Sequence, residues 1–152
     1  MKLITKNKSA FHEYDIQQTY DVGMVLQWHE VKSVKWWYVN IKDAFITISE
    51  RELVIINMDI PLYKHASLKQ IWGNYQAKGK RTLLVTALER TKIVAKTTKS
   101  WLAIIPLEVY VTTTWRIKLK IGIGKLLKKI EKKQILKERD LKRETDREIK
   151  NM

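Results

Sequence analysis

A mainly β fold is predicted for this 152-residue chain: a small antiparallel barrel of the OB type, with short flanking helices and a basic C-terminal tail. Three observations predict it. Short runs of β-branched and aromatic residues recur between turn residues, and the last of them alternates strictly between apolar and cationic side chains. One capping box marks a helix in the middle of the chain. The final quarter then changes character, losing Gly and Pro and filling with charge. The length suits a single core. An SH3-like barrel or another small α+β fold would carry a similar pattern.

The elements follow in order. Tyr14-Asp15-Ile16 reads as a strand, and Gln17 to Val22 as a short helical turn ending near Gly23. Met24 to Trp28 is expected to return to the core. Ala44-Phe45-Ile46-Thr47-Ile48 and Leu53 to Met58 flank Ser49-Glu50-Arg51-Glu52 and predict a hairpin. His65 to Lys80, with Gly73 and Gly79, is the least regular stretch and reads as a long loop. In Thr86-Ala87-Leu88-Glu89, hydroxyl and carboxylate can satisfy the first free amides of a helix. Leu88, Thr91, Ile93, Val94 and Ala95 give that helix a loose apolar face up to about Lys96.

Leu107 to Val111 and Trp115 to Ile121 predict a second hairpin across Thr112-Thr113-Thr114. In its second strand Ile117, Leu119 and Ile121 share one face, and Arg116, Lys118 and Lys120 the other. The barrel is expected over residues 1–123 and the tail over 124–152. Apolar residues in the tail make no heptad seam, and Glu138–Lys142 and Asp146–Lys150 are spaced to support a helix by a few tenths of a kcal/mol each. A tail of that kind is expected to be disordered when free or helical against a polyanion.

The formal net charge of +14 asks for a polyanionic partner or else serves solubility alone. Fourteen Lys or Arg against six Asp or Glu lie between Arg116 and Lys150, so this stretch carries +8 of the total. The absence of Cys excludes disulfides, thiolate nucleophiles and Cys-based metal sites, which suits the cytoplasm. The N-terminus lacks the apolar stretch of a secretory signal, and no apolar run approaches the roughly 20 residues that span a bilayer. His12-Glu13 and His29-Glu30 lack metal-ligand spacing, and neither a phosphate loop nor a nucleophile elbow occurs. No enzyme, cofactor or metal is expected. Six Trp and six Tyr among the cations raise base stacking. In an extended strand Trp37 would face away from Trp36 and Tyr38, so part of that trio at most is core.

Seven phrases in order resemble the SmpB family. They are Asn7-Lys8-Ser9-Ala10-Phe11-His12-Glu13-Tyr14; Gly23-Met24-Val25-Leu26 followed by Glu30-Val31-Lys32-Ser33; Val39 to Phe45; Asn57-Met58-Asp59-Ile60-Pro61; Lys80-Arg81-Thr82-Leu83-Leu84; Ile105 to Tyr110; and Lys137-Glu138-Arg139-Asp140. The likeness runs from about Asn7 to Lys150. It implies a monomeric, cytoplasmic, non-enzymatic adaptor. Such an adaptor binds the tRNA-like part of transfer-messenger RNA and carries it to the small subunit of a stalled ribosome, with no membrane partner. By the same resemblance Tyr14, Glu30, Lys32, Arg81, Leu84 and Lys118 belong to the RNA-binding side. Lys125, Lys128, Lys129, Lys132, Lys133, Lys137 and Arg139 would be the ribosome-contacting tail. From the residues alone, Tyr14 also suits the barrel interior, and Glu30 a structural pairing with Lys32 or Arg81.

The chain departs from the family at several points. Lys35-Trp36-Trp37-Tyr38 stands where the family has Arg-Ala-Gly-Lys, and Trp28 where it has glycine. The tail keeps its charge but has Leu126-Leu127 and Ile130 in place of a glycine hinge and a stacking ring. The competing reading is a drifted or redesigned barrel that binds RNA non-specifically through charge alone.

Overall fold

The computed structural model describes residues 1–63, 75–127 and 129–150, with backbone only at 99–100 and 129–136. Seven strands and four helices follow one another: β1 (Lys2–Lys6), α1 (Lys8–Glu13), β2 (Tyr14–Met24), α2 (Trp28–Lys35), β3 (Phe45–Ser49), β4 (Glu52–Ile56), β5 (Arg81–Leu84), α3 (Ala87–Ser100), β6 (Ala103–Val111), β7 (Ile117–Leu126) and α4 (Lys129–Lys150). All pairings are antiparallel. They run β6–β3–β4–β5–β2–β7 and return from β7 to β6, with β1 added outside β6. The circuit is thin where β3 meets β6 through Ile46↔Ile104, and β5 is held by two pairs on each side, Gly23↔Leu84 and Met24↔Leu83 to β2 and Val54↔Thr82 and Ile55↔Arg81 to β4.

The inward-facing residues of each strand make one core. Val109, Leu119 and Val22 lie side by side on β6, β7 and β2, all fully buried. Ile55 of β4, Val34 of α2 and Ile93 of α3 join the same cluster. The mainly β, antiparallel class read from the sequence is the class observed. Both hairpins form. The first closes on Glu50 and Arg51 with φ of 49° and 68°, the paired left-handed conformation whose twist matches two-residue hairpins.

Several elements differ from expectation. Gln17 to Val22 is strand, because β2 finds its ladder partner in β7, about a hundred residues away. Gln17 is the extra residue of a bulge between Ile16 and Gln18, and the polar Gln18 on the inward side of the strand masks its apolar alternation. Of Met24 to Trp28, Met24 and Leu26 do join the core, whereas Val25 is exposed and Trp28 starts a helix; β1 and α1 were not anticipated. In α3 the Thr86 hydroxyl accepts from the Glu89 N–H at 3.2 Å as the capping box predicts. The buried face centres on Ile93, however, while Leu88, Thr91 and Ala95 point to solvent. Strand β7 continues through Gly124 to Leu126, past the barrel limit expected at 123. A Cβ on Gly124 would sit 2.5 Å from the Asp15 carbonyl oxygen, so the close approach of β2 requires glycine there. The loop expected over His65 to Lys80 lies outside the described residues as far as Asn74. In the tail, Lys129–Lys150 forms α4, a helix the sequence reading had expected only against a polyanion. No described helix is long and apolar enough to cross a membrane.

Candidate RNA-binding surface

Glu30 and Arg81 meet under the surface. Each is 5% exposed, and the Arg81 Nε–H donates directly to Glu30 Oε2. The remaining guanidinium donors are spent as well. Nη1 donates to the carbonyls of Met58 (2.6 Å) and Gly79 (3.2 Å), and Nη2 to Ala77 O (2.8 Å) and Tyr75 Oη (3.3 Å). Glu30 Oε1 accepts the Gln27 N–H at 3.0 Å, closing the first turn of α2. The Tyr75 hydroxyl donates to Ile60 O and lies 3.5 Å from Glu30; burial, then Glu30's charge, pushes its pKa up. Five N–H groups satisfied in a dry site make a joint that fastens α2 to β5, with no donor left for RNA. Glu30 and Arg81 are thus buried and paired with each other, the structural arrangement the residues also allowed.

Leu84 and Lys118 do share a surface. Lys118 of β7, Gly23 of β2 and Leu84 of β5 are direct neighbours across three strands, so all three present the same outer face. Gly23 leaves a notch between the two side chains, and a Cβ there would sit 3.3 Å from Leu84 Cβ. Leu84 is 58% exposed, an isolated apolar side chain at the rim. Around the notch opens a cleft of about 330 Å³ lined by Met24, Leu26 and Val31 as well as Trp115, Arg116 and Lys118. Its lining carries no carboxylate. Lys120, one position along the same face, lies between Glu108 of β6 and Asp21 of β2. Asp21 also accepts the Tyr110 hydroxyl at 2.8 Å; with burial as the larger cause, the Tyr110 pKa is pushed up to about 12. Lys118 thus faces solvent without an acid in its cross-strand row, and Lys120 faces it between two.

Helix α2 delivers the rest of this end of the molecule. Lys32 is exposed, with its Nζ 5.8 Å from the Tyr63 ring centre. After Lys35 the helix stops in a Schellman motif: the Tyr38 N–H donates to Ser33 O (2.9 Å) and the Trp37 N–H to Val34 O (3.0 Å). Trp37 is then left-handed, with φ of 70°, where glycine is the easy choice and a side chain costs on the order of 1 kcal/mol. Trp36, Trp37 and Tyr38 are all exposed, so none of the trio is core.

Tyr14 lies elsewhere. Nine residues of extended strand separate it from Gly23, roughly 30 Å. There it is half-buried against Ala10, Ile105 and Leu107, which favours the packing role the residues also allowed. Nearby the tail begins. Lys125 is exposed at the end of β7, and the Leu127 N–H donates to Glu13 O at 2.9 Å. Lys137 and Arg139 are exposed on α4, and Arg139 donates to Phe11 O at 3.4 Å. Lys129, Lys132 and Lys133 are on the backbone of α4, and Lys128 lies outside the described residues.

A family model described as SmpB protein matches residues 4–151, almost end to end. The chain belongs to the SmpB family. SsrA-binding proteins of Persephonella marina and Coprothermobacter proteolyticus are each 39% identical to it, over 99% of this chain and 95% and 98% of theirs. A solved structure described as tmRNA-SmpB on a journey to the centre of the bacterial ribosome superposes with a TM-score of 0.64 at 26% identity, covering 87% of this chain and 93% of that one.

The sequence pattern had set Arg116 on the face of Lys118, but it had not singled out Trp115 as lining the same cleft. A signal for Trp115 existed: a large ring directly after three threonines belongs to a turn, where burial is rarely available.

Proposed function

We propose that this chain binds the tRNA-like part of transfer-messenger RNA and delivers it to stalled ribosomes, acting as an adaptor rather than an enzyme, in the cytoplasm. Its end-to-end likeness to SsrA-binding proteins carries this reading. The acid-free cleft beside Lys118 is the RNA surface, with Lys118 and Arg116 reaching phosphates and Leu84 and Val31 under a sugar or base. Lys32 flanks it on α2, while Glu30 and Arg81 hold that helix in place. The basic tail makes a second contact, with the small ribosomal subunit, through Lys125, Lys128, Lys129, Lys132, Lys133, Lys137 and Arg139. Counterion release supplies its affinity.

Competition binding tests the proposal. Affinity for the tRNA-like domain of transfer-messenger RNA is titrated in salt against an unrelated tRNA. A preference that persists as salt rises is expected, because base and shape contacts survive screening. Equal, salt-labile affinity for both RNAs would leave only a basic protein that binds RNA non-specifically.

A further inference from the structure

Four large aromatic side chains stand in water at one end of the molecule. Trp36, Trp37 and Tyr38 follow α2, and Trp115 stands on the β6–β7 turn, 73% exposed. Trp37 and Trp115 are both left-handed, with φ of 70° and 64°. Folding alone would be better served by glycine at either position. Neither ring repays the strain by filling the core.

Cations accompany the rings. Lys2 Nζ lies 4.7 Å from the Trp37 ring centre and Lys35 Nζ 6.0 Å from that of Trp115. The same two lysines line a cleft of about 230 Å³ together with Trp115, Met1, Ile4 and Thr113, again without a carboxylate. Trp115 lines this cleft and the one beside Lys118, so the two open on either side of its indole. Exposed flat rings set among uncompensated cations fit one kind of ligand closely. Unpaired nucleobases stack on the rings while their phosphates meet the lysines. A duplex has no open base face to offer. A protein partner is less well matched, because two adjoining clefts without an acid suit a polyanion.

We propose that Trp37 and Trp115, with Lys2 and Lys35, form a stacking clamp for unpaired bases of the bound RNA, adjoining the Lys118 cleft. The clamp rests on the RNA-binding function proposed above and adds to it a subsite for a single-stranded loop.

Trp37→Gly, Trp115→Gly and the double variant separate stacking from folding, because relief of left-handed strain should raise each melting temperature. Trp101→Gly is the control. Trp101 caps α3 with φ of 56° and is also exposed, but no described lysine sits over its ring as Lys2 does over Trp37 and Lys35 over Trp115. The probe is the tRNA-like domain of transfer-messenger RNA, titrated at several salt concentrations. Each clamp substitution is expected to weaken binding roughly tenfold, with the salt slope unchanged because no phosphate contact is lost. Trp101→Gly should melt higher and bind as the wild type does. A folded double variant with wild-type affinity overturns the clamp and turns the patch over to a protein partner. If the wild type binds this RNA and unrelated tRNA equally, the delivery function fails, while the same variants still decide the clamp. No binding to either RNA overturns both.

Discussion

The joint between α2 and β5 and the helix α4 use the same residue types to opposite ends. At the joint one Arg and one Glu are buried against each other, and every donor of Arg81 is taken by the protein itself. On α4 the charged side chains described are all in water. A charge that is buried and fully partnered shapes the fold. One that stays hydrated remains available to a polyanion, and its worth falls with salt. The Lys118 cleft lies between these extremes, exposed but held on a rigid sheet. That combination favours specific recognition over charge-driven attraction.

The largest effect expected concerns α4. A chain ending at Leu127 keeps the β7 ladder and the Leu127–Glu13 hydrogen bond, so it should fold and retain its preference for the tRNA-like RNA. Peptide tagging on stalled ribosomes should be abolished. If RNA preference disappears along with tagging, the main RNA site belongs to α4 and the comparison between the two regions inverts.

At the joint, Glu30→Ala leaves the Arg81 charge buried without its partner and should cost about 3–5 kcal/mol, read by equilibrium denaturation. Pairing Glu30→Leu with Arg81→Met should recover much of that loss while RNA affinity of the folded protein stays near wild type. A Glu30→Ala protein of full stability but weakened RNA affinity would return Glu30 to the RNA surface.

Lys118 and Lys120 sharpen the contrast within one strand face. Lys118→Ala should weaken RNA binding across sequences and reduce the salt slope by about 1, the signature of one lost phosphate contact. Lys120→Ala, removing a cation already set between Glu108 and Asp21, should change binding little. Equal losses would mean that overall charge, not the cleft, draws the RNA.

The smallest effect is a pH dependence. Tyr110 has its pKa raised above the ordinary tyrosine value of 10.0 to about 12 by burial and by its hydrogen bond to Asp21. The folded state therefore holds this proton more tightly than the unfolded chain does. The associated stability is complete below pH 10.0 and is lost as pH rises from there toward about 12. Phenolate absorbance of Asp21→Asn should show one tyrosine titrating earlier than in the wild type. An unchanged titration curve would detach Tyr110 from Asp21.

What the sequence could disclose unaided was local or cumulative. The two hairpins are legible because their strands meet across a few residues, and the start of α3 because Thr86 and Glu89 are three apart. The charge imbalance and the family phrases add up along the whole chain and need no geometry. Other features depend on partners far away in sequence. Gln17 to Val22 becomes strand only beside β7, and Glu30 meets Arg81 across 51 residues. Lys118 and Lys120 read alike along β7 and differ only through what β2 and β6 set next to them. Burial and hydrogen-bond satisfaction belong to all the elements around a side chain at once. Only the closed circuit of strands could decide which charges are used up inside and which remain for RNA.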